Sequence, residues 1–74
     1  MQSSHKILVT FAAHVGQDEL QSMVSALMAC GDVASKADQR SFVVKTRRDS
    51  SFTYLCETLT GWERYGFCRW EQTS

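Results

Sequence analysis

The side chains able to do chemistry are few and scattered. His5 and His14 are the candidate metal ligands or general bases. They flank an apolar run, residues 6–13, that reads as a strand. At about 3.3 Å per residue they stand roughly 30 Å apart, too far to share a metal ion within one chain. The three cysteines, Cys30, Cys56 and Cys68, form no Cys-x-x-Cys pair, and no His-x-x-x-His is present. A zinc site draws three or four such ligands together, so no metal and no cofactor is expected. A thiol beside an imidazole would make a nucleophile and its base. No spacing ties either histidine to one cysteine. Cys56 falls on a helical apolar stripe as a small core residue, Cys30 at a helix end and Cys68 in a strand. Gly16 leads into a helix N-terminus of the kind that holds phosphate, but Asp18 and Glu19 in the first turn would repel an anion. No catalytic residue is expected, and the chain reads as non-enzymatic.

Binding chemistry is better represented. Lys36, Arg40, Lys45, Arg47 and Arg48 gather five of the eight Lys and Arg residues into thirteen positions. They make the region around the third strand locally positive, either as a partner site or as a sheet edge protected by charge. Near the C-terminus, Tyr65, Phe67, Arg69 and Trp70 combine aromatic and cationic groups. Alternation offers one sheet face either Tyr65, Phe67 and Arg69, or Cys68 and Trp70. Large aromatics and arginines of this kind anchor interfaces.

The elements that must position these groups follow from periodicity. In KILVTFAA, Ile7, Val9 and Phe11 point one way and Leu8, Thr10 and Ala12 the other. Apolar residues on both faces make this a central strand. Leu20, Met23, Val24, Leu27 and Met28 repeat at helical spacing, and Gly31 follows as a C-terminal glycine. Residues 32–36 read as a short edge strand, with a loop as the alternative. Asp38–Gln39 turns the chain into a central strand, residues 41–46. Asp49, Ser50 and Ser51 offer helix-capping oxygens. Phe52, Leu55, Cys56 and Leu59 carry the second stripe, with Gly61 expected to close it, and residues 64–71 read as the last strand.

The order is thus β-α-β-β-α-β. Helices with single stripes must share one face of the sheet. Right-handed crossovers then put the first and third strands in the middle. The expected fold class is α+β: a ferredoxin-like βαββαβ two-layer sandwich, with a four-stranded antiparallel sheet and two helices on one face.

Composition sets outer limits. Seventy-four residues make a single domain, 1–74, with 1–4 and 72–74 expected to fray. A chain of this size buries about 60–65% of its unfolded surface. The formal net charge is zero, against the excess of positive charge usual in general nucleic-acid or membrane-surface binders. An odd number of cysteines reads as reduced thiols in a cytoplasmic protein. No apolar run reaches the roughly 20 residues that span a bilayer.

The pattern resembles several ferredoxin-like families at the level of fold. Arg40 and Phe42 are similar to the basic and aromatic opening of the third-strand signature in RNA-recognition motifs, which would imply base stacking. Val44 and Leu8 stand where that family has further aromatics. KILVTF and SFVVKT resemble the first and third strands of small Cas2-like proteins, among them antitoxin endoribonucleases. Nuclease members commonly carry an acid at the end of the first strand, where this chain has Ala12-Ala13-His14. Heavy-metal-associated domains share the arrangement but use paired cysteines. Short phage-encoded inhibitors of host defence are similar in size and style.

The leading functional expectation is a small non-enzymatic interaction module, antitoxin-like or host-inhibitor-like. It would bind a protein partner through the open sheet face and the basic hairpin, and would form a homodimer without engaging membranes. The expected contact residues are Lys36, Arg40, Lys45, Arg47, Arg48, Tyr65, Phe67, Arg69 and Trp70. The alternative is a nucleic-acid binder, with antitoxin-type endoribonuclease activity as one form, using Arg40, Lys45, Arg47, Arg48 and Arg69.

Overall fold

Alternation in two β-branched segments sets the centre of the molecule. The structure, a computed structural model, describes residues 4–36 and 38–73. In it KILVTF and SFVVKT lie side by side as β1 (His5–Phe11) and β3 (Ser41–Thr46), antiparallel, with Ile7 opposite Val44 and Val9 opposite Phe42. The remaining elements are α1 (Gln17–Met28), β2 (Asp32–Ser35), α2 (Asp49–Arg64) and β4 (Cys68–Gln72). The sheet order is β2-β3-β1-β4, antiparallel throughout. This is the expected ferredoxin-like two-layer sandwich, with β1 and β3 central and residues 32–35 a strand.

The core fills the space between sheet and helices. Ile7, Val9, Phe11, Phe42 and Val44 are buried from the sheet, with Leu20 and Leu27 from α1 and Leu55 and Leu59 from α2. Each buried aliphatic side chain of this kind contributes about 1.5–3 kcal/mol. Phe11 meets Phe42 edge-on at 5.7 Å and tilts against Trp62 at 6.1 Å. Met28, expected on the α1 stripe, is 62% exposed. It is the last helical residue, where the chain already turns away through Ala29.

The glycines differ most from expectation. α2 runs through Gly61 to Arg64, because its apolar stripe continues to Trp62, which packs on the core. That burial outweighs the roughly 1 kcal/mol helix penalty of a glycine. The stop is Gly66, at φ +76°. Its N–H donates to the Glu63 carbonyl and the Phe67 N–H to the Trp62 carbonyl, both bonds of a Schellman closure. The last strand therefore starts at Cys68 instead of Arg64. Gly31 does not adopt a left-handed conformation. A Cβ there would run into the Lys45 carbonyl, so its role is to let the chain pass close beside β3.

One further expectation is corrected. Asp49, Ser50 and Ser51 are the first helical residues of α2, and the N-cap is Arg48, which makes no side-chain cap bond. Only Arg47 and Arg48 link β3 to α2, so the helix starts as soon as the strand ends. Gln72 lies in β4, and the Thr73 N–H donates to the Lys6 carbonyl at 2.8 Å. Ser4 is exposed ahead of β1. The expected fraying of 1–3 and 74 lies outside the described residues. Among the described residues no helix is long and apolar enough to cross a membrane.

Candidate functional site

The sheet face away from the helices is built by register. Directly paired residues on neighbouring strands share a face, so this face falls into three rows. Asp32, Lys45 and Lys6 form the first; Ala34, Val43, Leu8 and Glu71 the second; Ser41, Thr10 and Arg69 the third. Leu8, Val43 and Lys45 are half-buried, Ser41 is buried, and the others are exposed. A depression of about 420 Å³ lies over Leu8, Thr10, Arg69, Trp70 and Glu71.

The alternative left open for the last strand is resolved by pairing. Trp70 lies opposite Val9 and Cys68 opposite Phe11, so both take the helix side, and Arg69 and Glu71 take the open side. Tyr65 and Phe67 precede the strand. Their rings stack at 5.9 Å near the C-terminal end of α2, with His14 6.5 Å from Phe67. The expected aromatic surface on the open face is therefore absent from its rows. The extra turn of α2 withdraws Tyr65 and Phe67, and strand parity turns Trp70 inward.

The sheet also divides the basic cluster. Lys36 and Arg40 sit at the hairpin end of β3, while Lys45, Arg47 and Arg48 lie at its other end. The two groups are separated by about 20 Å of extended chain. Arg40 is structurally engaged: one guanidinium nitrogen donates to the Ala12 carbonyl at 2.9 Å and the Val15 carbonyl at 3.2 Å. It holds the connection from β1 to α1. Beside it the Asp38 carboxylate accepts from the Ser41 hydroxyl at 2.7 Å and from the backbone N–H groups of Ser41 and Arg40. The Ser41 hydroxyl bond, then the backbone bonds, hold the Asp38 carboxyl below its usual range. At the far end Arg47 reaches Asp32 at 3.5 Å, both exposed. A notch of about 360 Å³ opens there between Cys30, Lys45, Arg47 and Arg48.

Sequence reasoning missed Lys6. It lies directly opposite Lys45 on the open face, and only the pairing of KILVTF with SFVVKT discloses it. Glu71, beside Leu8, was missed in the same way.

The groups considered for catalysis do not converge. His5 stacks on Phe52 at 4.0 Å, approaches Asp49 at 3.5 Å and meets the Gln72 amide at 3.3 Å, at one end of the sheet. His14 is exposed at the other end. Cys30 and Cys68 are buried, Cys56 is half-buried, and burial raises all three thiols. For Cys68 burial, then the Glu63 charge, pushes it up to about 11. Such thiols hold almost no thiolate at neutral pH and are poor nucleophiles. Among the described residues no group of three or more His, Cys, Asp or Glu side chains is placed to hold a metal ion.

Fold and surface together define a ferredoxin-like two-layer domain whose mixed apolar and charged sheet face is covered by no described element. A scan against protein-family models finds no match, and comparisons with curated proteins and with solved structures find none either. The resemblance to RNA-recognition motifs meets a geometric obstacle. Phe42 is 8% exposed and Val44 fully buried beneath the helices, so neither can stack on a base. The central open-face positions are Leu8 and Val43.

Proposed function

We propose that this protein is a small non-enzymatic interaction module that binds a protein partner through the open sheet face, led by its basic end. The observation that carries the reading is the Lys6–Lys45 pair. Like charges directly opposite on adjacent strands are destabilising, and here they stand, with Asp32 on the far side of Lys45, on a face that no described element covers, beside apolar Leu8, Val43 and Ala34. A carboxylate from a partner, seated between the two ammonium groups, would turn that repulsion into attraction. The apolar row would supply the dry centre and Arg48 a charged rim. The partner surface implied is acidic around an apolar middle. Sequestering roles of the antitoxin or host-inhibitor kind suit such a module.

The same lysines with Arg47 and Arg48 could instead take phosphates, which makes nucleic-acid binding the second reading. Zero net charge and the lack of stackable aromatics at Leu8 and Val43 favour the protein partner. The test is capture from nuclease-treated host lysate on the parent, on Lys6→Glu with Lys45→Glu, and on Leu8→Asp. The expected result is one acidic protein retained by the parent and lost by both variants. Retention by both variants removes the open face from the interaction. In parallel, single-stranded RNA and duplex DNA are titrated at about 50 mM salt, where phosphate contacts are strong. Tight, salt-sensitive binding that Lys6→Glu with Lys45→Glu abolishes would replace the protein-partner reading with the nucleic-acid one.

A further inference from the structure

We infer that β4 pairs edge to edge with β4 of a second copy, in one register fixed by charge, joining two four-stranded sheets into one. The inference rests on the geometry of β4 and stands apart from the open-face reading.

β4 is a terminal strand of the sheet. Hydrogen bonding alternates along an antiparallel pair. The Ala12 N–H donates to the Phe67 carbonyl and the Thr73 N–H to the Lys6 carbonyl. In the register of β1 with β4, those two bonds fix the parity: Phe67, Arg69, Glu71 and Thr73 direct their backbone groups toward β1. Cys68, Trp70 and Gln72 therefore direct theirs outward, along an edge with which no described strand pairs.

A two-fold axis restricts how two such edges can meet. Outward-directed residues must lie opposite outward-directed residues, so a contact that pairs at least three residues of β4 has its axis through Arg69, Trp70 or Glu71. Through Arg69 it sets two arginines face to face, and through Glu71 two glutamates. Through Trp70 it sets Arg69 opposite Glu71 of the second copy and Glu71 opposite its Arg69. These are non-hydrogen-bonded positions, where paired Cα atoms are only about 4.5 Å apart and side chains are closest. The two Trp70 residues then exchange backbone bonds across the axis, and their half-buried rings meet on the helix side. Charges on an edge strand ordinarily deter association. Here opposite charges two residues apart make the edge complementary to itself in a single register. β2, the other edge, is shorter at four residues.

The experiment uses the full chain in sedimentation equilibrium, with Arg69→Glu, Glu71→Arg and the double exchange, all checked for helix content by circular dichroism. The parent is expected to dimerise. Each single reversal sets like charges opposite at both contacts and should weaken the dimer at least about tenfold. The double exchange should restore it. A mixture of the two single variants should form a mixed dimer that neither forms alone, because each contact then joins an arginine to a glutamate. The Trp70 amide should exchange more slowly in the dimer. A clean monomer at about 100 µM parent overturns the inference. So does a dimer indifferent to both single reversals, or a mixture of the single variants that does not associate.

Discussion

Two glycines that a sequence treats alike fail for different reasons, and their substitutions should separate. Gly31 is held where a Cβ would collide with the Lys45 carbonyl, and Gly66 is held at φ +76° with open space around its Cα. The obstacle at Gly31 is the backbone of a central strand, at a position where Lys45 pairs with Asp32 of β2. It can yield only by disturbing that ladder. Overpacking costs typically 1–3 kcal/mol, so Gly31→Ala should cost about 3 kcal/mol. A left-handed residue with a Cβ costs about 1–2 kcal/mol, so Gly66→Ala should be milder. At roughly 4–8 °C per kcal/mol for a domain this small, the melting temperature falls about 12–24 °C for the first and about 4–16 °C for the second. Asparagine discriminates further, since it visits the left-handed region readily. Gly66→Asn should recover most of the loss, whereas Gly31→Asn should be no better than Gly31→Ala. Thermal melts followed by circular dichroism decide it. Gly31→Ala melting within about 2 °C of the parent would refute the close-packing account.

Other perturbations probe other layers of the structure. Leu27→Ala and Leu55→Ala remove buried side chains of α1 and α2 respectively; each should cost about 2–4 kcal/mol in urea titrations. Thr46 is fully buried, and among the described residues its hydroxyl has no hydrogen-bond partner. Thr46→Val should therefore stabilise, by up to about 1 kcal/mol, and a loss of stability on the same assay would reveal a bond to the hydroxyl. Asp38 has a depressed folded-state pKa, so its stabilising effect is present above the unfolded value of about 3.9 and lost as pH falls through the folded one. Melts between about pH 2 and 5 should accordingly show a shallower acid decline for Asp38→Asn than for the parent.

How far the fold could be read from the chain depended on whether a signal was local. The two central strands were legible because alternation is a property of consecutive residues, and a one-residue slip would expose Ile7, Val9 and Phe11 together. The helical stripes were legible for the same reason. The end of α2 was not. Gly61 carries the usual mark of a helix stop, but Trp62 one residue later gains enough burial against the core to override it. The length of β4 inherits that displacement: with the Schellman closure at Gly66, residues 64–67 are consumed before pairing begins. The inward turn of Trp70 follows from the register with β1, which residues 64–71 do not encode by themselves.

The candidate site shows the same limit more sharply, because charge acts through space. Five basic residues within thirteen positions look like one patch along the chain, yet a strand of six residues carries its two ends apart. At the hairpin end Arg40 is bound to the Ala12 and Val15 carbonyls, and its loss should register as instability of the connection before it registers as weaker binding. At the other end the charge density comes from a residue thirty-nine positions away. Lys6 reaches Lys45 only because β1 and β3 pair in the register that also joins Ile7 to Val44 and Val9 to Phe42. The apolar pairs on the hidden face thus enforce the repulsive pair on the open face. Sliding the strands to separate Lys6 from Lys45 would break the core, so the two lysines stay opposite each other, with Asp32 of β2 on the far side of Lys45 in the same row.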